Sequence, residues 1–304
     1  MAKPINISLD RNIYSPPTSE DIRKAKEFVL FRSETARMAQ ETAGDIIEDA
    51  AEKLVLIAYK YNIPAYRFTF DTSTNKRMMD EVNEVMDDME DEIYSLIIHK
   101  GTAITADKDR KAALIALLVT LGHRNMTLRE TIHAYSWRVL RQVEALVVSA
   151  RNAGISRTEA AKLARTGLTS FAATKAFTDT QKERNKFAAP FIRNGGKTTF
   201  PDGSPNIQGV PKDGKEAIKN VVGTAVNMAW TRNQALDMVE DRRCIGYWQD
   251  RGSNLPCALC DSEVGFHDIY DGTDITSIDY PHINCMCWRV PIYSNGEQGN
   301  IEYS

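Results

Sequence analysis

Cys257-Ala258-Leu259-Cys260 and, a loop later, His282-Ile283-Asn284-Cys285-Met286-Cys287 hold four of the chain's five cysteines. Two knuckles of soft donors joined by a turn-rich linker suit a four-coordinate zinc site, where thiolates and imidazoles reach one ion in pairs. A Cys-x2-Cys pair alone is shared with redox motifs, so it is the second knuckle that favours a metal clip. Cys257 and Cys260 are the firmest ligands, because a two-residue gap lets both sulfurs point at one ion. His282, Cys285 and Cys287 compete for the other two places, with His267 as an outsider. Reduced core thiols and a disulfide are the competing readings. The available donors would close the shell without a water-bearing position, so one structural zinc per chain is expected.

Outward from the knuckles, Cys244, Ile245, Tyr247 and Trp248, with Gly246 between them, read as a strand edge. Phe266–Tyr270 is a second strand candidate and Trp288–Tyr293 a third. A helix from Lys212 to about Asp237 leads into them. Residues 213–293 are therefore expected to form a small α+β module with little core of its own, to which metal binding would contribute folding free energy.

The rest of the chain reads as helix. Apolar residues from Ile22 through Val29, Ala36, Ala43, Ile47 and Leu54 to Ala58 recur at intervals of three and four. Unbroken, about 40 residues at about 1.5 Å each would make a rod of roughly 60 Å, so either the helix breaks near Gly44 or the body is elongated. Tyr66, Phe68 and Phe70 alternate with Arg67 and Thr69, as in a short strand or extended crossing. A second helix covers about Asn75 to His99. Its acidic residues mostly fall opposite the apolar stripe and read as a solvated face, not a metal-carboxylate site. Asp107 or Asp109 opens a third helix. Thr127-Leu-Arg-Glu130 and Ser156-Arg-Thr-Glu159 are capping boxes for a long helix and a short one. The fold class expected is mainly α: an arm at 1–20, an elongated helical body at 21–192, an extended loop or hairpin at 193–212, the zinc-clipped module at 213–293 and a tail at 294–304.

A net charge of -3 on 304 residues gives no DNA-wrapping surface. Met1–Asp10 carries one lysine and is followed by no apolar run, so no signal peptide is expected. The apolar run Leu114–Leu121 is too short to span a bilayer. Gly195-Gly196-Lys197-Thr198 lacks the spaced first glycine and the preceding strand of a phosphate loop.

The segment from Gly223 to Val290 resembles the C-terminal module of tailed-bacteriophage minor head proteins, the head morphogenesis family related to phage Mu protein F. The resemblance is carried by Thr224, Asn227 and Ala229 on a helix, Trp248 on a strand, Cys257 and Cys260, Gly265 and Phe266, and the closing Pro281-His282-Ile283-Asn284-Cys285-Met286-Cys287. Ala225, Ile283 and Met286 depart from the family's glutamate, proline and arginine, and the missing glutamate speaks against a retained enzymatic activity. The resemblance implies a virion protein assembled in the bacterial cytoplasm. It would contact the portal protein or other head and connector proteins in a multi-copy ring, with at most local contact to packaged DNA and none to membrane. Two other classes compete. A treble-clef nuclease would use His267, with Asp268 or Asp261, as its water-activating group, but no helix ligand follows Cys287. A DNA-binding regulator would show steeply salt-sensitive binding.

Overall fold

The computed structural model describes residues 17–120, 126–172, 214–241, 243–250, 264–269 and 287–294. Its helices are α1 (Ser19–Lys60), α2 (Lys76–Thr102), α3 (Lys108–Thr120), α4 (Leu128–Asn152), α5 (Arg157–Ala172) and α6 (Gly214–Glu240), with a 3-10 turn at Ala65–Arg67. The strands are β1 (Cys244–Asp250), β2 (Gly265–Asp268) and β3 (Trp288–Tyr293). The mainly α fold with a small C-terminal β module is as expected. The arm up to residue 16, the loop at 193–212 and the tail from residue 295 lie outside the described residues.

The chain divides into two compact units. One comprises Met1–Arg37, Gly101–Leu114 and Val226–Ser304, the other Met38–Lys100 and Ile115–Ala225.

In the second unit, α1 runs through Gly44 without a break and buries Ala39, Ala43, Ile47, Ala51, Leu54 and Ala58. These small and branched residues three and four apart form the face that tertiary packing stabilises. α2 buries Met78, Val82, Met89, Ile93 and Ile97, while Asp80, Glu84, Asp87, Asp88, Asp91 and Glu92 are exposed, as the solvated-face reading expects. Asn75 caps this helix by accepting the Met78 N–H at 3.0 Å. Between α1 and α2 the expected strand is absent: Tyr66 and Arg67 sit in a single 3-10 turn. The expected alternation holds only in its second half: Phe68 and Phe70 are buried and meet edge-on at 5.0 Å, whereas Tyr66, on the same parity, is 82% exposed.

α4 starts at a complete capping box, with Glu130 N–H bonded to Thr127 Oγ1 and Thr127 N–H to the Glu130 carboxylate. It ends in a Schellman motif: Gly154 has φ 68°, and Ile155 N–H reaches back to the Ala150 carbonyl at 2.9 Å. Of the second box, Ser156 Oγ accepts the Glu159 N–H at 3.3 Å. The helix it opens is longer than expected, continuing through Gly167 to Ala172.

In the first unit the strands form one antiparallel sheet ordered β2-β1-β3. β1, expected as an edge, is the middle strand, which explains its bulky β formers. Its two faces are covered by different helices. Tyr247, Cys244 and Tyr293 pack with Ala235 and Met238 of α6, while Trp288 and Val290 pack with Ala25 and Val29 of α1, with Trp248 and Ile22 alongside. Cys244 and Tyr247 are three apart and would face opposite sides of a regular strand. The register shift between Cys244 and Gly246 turns both towards α6. β3 is buried along its whole length, and its Pro291 is tolerated because the strand lies at the sheet's edge.

Candidate functional site

Four of the five expected metal ligands, Cys257, Cys260, His282 and Cys285, lie outside the described residues. The fifth, Cys287, is a buried free thiol just ahead of β3. Among the described residues no group of three or more His, Cys, Asp or Glu side chains could hold a metal ion. That finding overturns the expected zinc clip and the metal-binding character assigned with it. The described part of the module is held instead by burial of both sheet faces, one against α1 and one against α6. One face is covered by α6, which leads into β1, and the other by α1, distant in sequence, so apolar packing meets the need for which an ion was invoked.

His267, the outsider ligand and the candidate nuclease base, lies on β2 directly opposite Tyr247. The two rings stack at 4.8 Å with 7° between their planes. The Arg289 guanidinium also lies over the Tyr247 ring, at 5.3 Å, and its Nε donates to Gln249 Oε1 at 2.7 Å. Gln234 of α6 adds an Nε2 bond to the Arg289 carbonyl at 3.4 Å. This cluster fixes sheet to helix through an aromatic ring with a cation on it. Asp268 pairs with Gly246 in the register, and Asp261 lies outside the described residues. Burial pushes the Cys244 thiol up to about 11, so it is un-ionised at neutral pH and a poor nucleophile.

The helical residues that carry the family resemblance all lie on α6. Ala229 and Asn227 are buried, and Asn227 Oδ1 and Thr224 Oγ1 have no hydrogen-bond partner among the described residues. Trp248 follows on β1.

The strongest polar ties are ones the sequence analysis did not single out. Arg32 of α1 is 1% exposed and donates from Nη1 to Thr231 Oγ1 at 2.9 Å. It falls midway between Val29 and Ala36 on the apolar stripe, a charged residue at a core position, and that interruption is a readable signal. Arg110 of α3 reaches two carboxylates of α6, Asp237 and Glu240. Burial pushes Asp237 above the usual carboxylate range, although the Arg110 hydrogen bond opposes it. In the second unit Glu144 is 1% exposed, and its Oε2 accepts the Phe70 N–H at 2.9 Å, the Thr69 hydroxyl at 3.1 Å and Arg141 Nη1 at 2.6 Å. Arg151 donates to the Ala58 carbonyl at 2.6 Å and to that of Ile63, closing the end of α1 with a cation where the helix dipole is negative. These groups position elements, and none is joined by a nucleophile or an open ligand set among the described residues.

No described helix is long and apolar enough to cross a membrane. Comparison with known proteins found no match for this chain to a family model, a curated protein or a solved structure.

Proposed function

We propose that this chain is a structural protein of a tailed-phage head, acting at or near the portal vertex in head assembly, genome packaging or ejection. The observation that carries the proposal is the ordered set of residues from Gly223 to Val290 that resembles the minor head family: Thr224, Asn227 and Ala229, then Trp248, then the paired cysteines, then His282 to Cys287. The described elements are compatible with it, since α6 bears the first three and runs into β1, which bears Trp248. The partners follow from the same resemblance: a portal protein or neighbouring head proteins, met as several copies in a ring assembled in the host cytoplasm.

The test is composition. The chain is tagged at its genomic locus, particles are assembled in the host and purified on a gradient, and protein is quantified by mass spectrometry. The proposal expects the chain in the particles at a fixed ratio to portal protein. Particles that lack it, with the chain wholly in the soluble fraction, would refute the proposal.

A further inference from the structure

On the exposed side of α4, His133 and Trp137 stand one turn apart, opposite Glu90 of α2. The Trp137 indole N–H donates to His133 Nε2 at 3.1 Å, and the other ring nitrogen, Nδ1, lies 3.0 Å from a Glu90 carboxylate oxygen. A neutral imidazole has one donor and one acceptor nitrogen. Since Nε2 accepts from the indole, the proton resides on Nδ1 and is donated to Glu90. The two rings meet edge-on, 6.3 Å apart and at 87°.

We infer that Glu90, His133 and Trp137 form a proton-operated latch, in which a second proton on His133 releases the Trp137 indole. Doubly protonated imidazole has no acceptor nitrogen, so Nε2–H would face the indole N–H, donor against donor. While Glu90 is ionised the Nδ1–H to Glu90 bond is kept and becomes charge-assisted, so the ring is retained as its grip on the indole is lost. Trp137 is already 37% exposed.

Burial pushes the Glu90 carboxyl above its usual range, opposed by His133, so Glu90 is the other group of the latch that responds to acid. On α2, Asp91 is paired with Arg129, whose guanidinium lies over Tyr94, and Asp87 faces Glu90. On α4, Ser136 also faces Glu90, the Arg141 guanidinium lies over the Trp137 ring at 5.7 Å, and Glu130 is engaged by the Thr127 N–H. Acidification would thus present an indole at the surface that neutral conditions hold down. The inference is independent of the virion proposal, because it concerns one pair of helices and no partner.

The test follows the Trp137 indole N–H by NMR, the resonance being assigned by its loss in Trp137→Phe. On acidification the full-length protein should show this resonance moving and its solvent exchange accelerating, with the same midpoint as the His133 ring protons. His133→Gln keeps an acceptor but cannot titrate, so its indole resonance should stay fixed. An indole that titrates equally in His133→Gln, or one that stays fixed in the native protein while His133 protonates, would overturn the latch. The comparison of midpoints needs only the native chain, so it stands even if the glutamine variant folds poorly.

Discussion

Gly246 lies so close beneath the backbone of His267 that a Cβ placed on it would meet that carbonyl oxygen at 2.3 Å and the Phe266 ring at 2.5 Å. The middle strand and β2 are therefore in contact at a point where only a hydrogen fits. Between Cys244 and Gly246 the pairing with β3 also shifts register, so the glycine serves both neighbours of β1.

Gly246→Ala should accordingly force β2 away from β1 and weaken the Tyr247–His267 stack beside it. A loss of about 1–3 kcal/mol is expected, the usual range for overpacking. Urea denaturation monitored by near-UV CD measures it. A variant with an unchanged midpoint would show that the strands do not approach so closely.

Glu144 is the acceptor for three donors from two directions, and two of them belong to the turn segment after the 3-10 turn. Glu144→Gln keeps the size but replaces a carboxylate oxygen with an NH2 group or a weaker acceptor, leaving the Phe70 N–H or Arg141 poorly satisfied. A destabilisation of about 2–3 kcal/mol is expected for breaking charge-assisted bonds at a buried site. Hydrogen exchange should accelerate at the Phe70 amide above all. Unchanged protection there would contradict the assigned bond.

What was legible in the sequence is the part written in local periodicity. The apolar stripe of α1, the Thr127–Glu130 box, the stop at Gly154 and the limits of β3 depend on neighbours within a turn or two, and each is found where its pattern puts it. What was not legible depends on distant partners. β1 looks like an edge from its own residues, because nothing local reveals that β2 and β3, later in the chain, pair along its two sides. The metal clip failed for the same reason. A module short of core on its own residues invites an ion, yet Ala25 and Val29 of α1 complete the face that Ala235 and Met238 of the adjacent helix do not reach. Tyr66 to Phe70 shows a subtler miss. The alternating pattern fits a strand, yet Tyr66 sits exposed in the 3-10 turn, and only Phe68 and Phe70 after it are buried, without a ladder.

Asp237 makes stability depend on pH in an unusual direction. Its folded-state pKa is raised, chiefly by burial, so the folded chain holds this proton more tightly than the unfolded chain. Its contribution to stability must then fall as pH rises from the ordinary carboxylate value through the raised one. Carboxyls held low by a partner, such as Asp241 beside Arg243, slope the other way. The informative quantity is thus the stability of the native chain minus that of Asp237→Asn, measured by denaturant across the acid range. That difference should decline with increasing pH. A difference that climbs over the same window would mean that Arg110 outweighs desolvation at this site.

Cys244 should be the slowest described thiol to react, because burial protects it in two ways. It is fully enclosed with Tyr247, Tyr293, Ala235 and Met238, and burial pushes its thiol up to about 11. At pH 8 the thiolate fraction is then on the order of 0.1%, and alkylation requires the thiolate. Iodoacetamide labelling read by peptide mass spectrometry should leave Cys244 unmodified in the folded protein and modify it on unfolding, at a rate that tracks the global transition. Because Cys244 starts β1 and fills the α6 face of the sheet, its labelling rate reports the opening of that face specifically. Prompt labelling in the native state would place the thiol at the surface and remove the register shift that turns it inward.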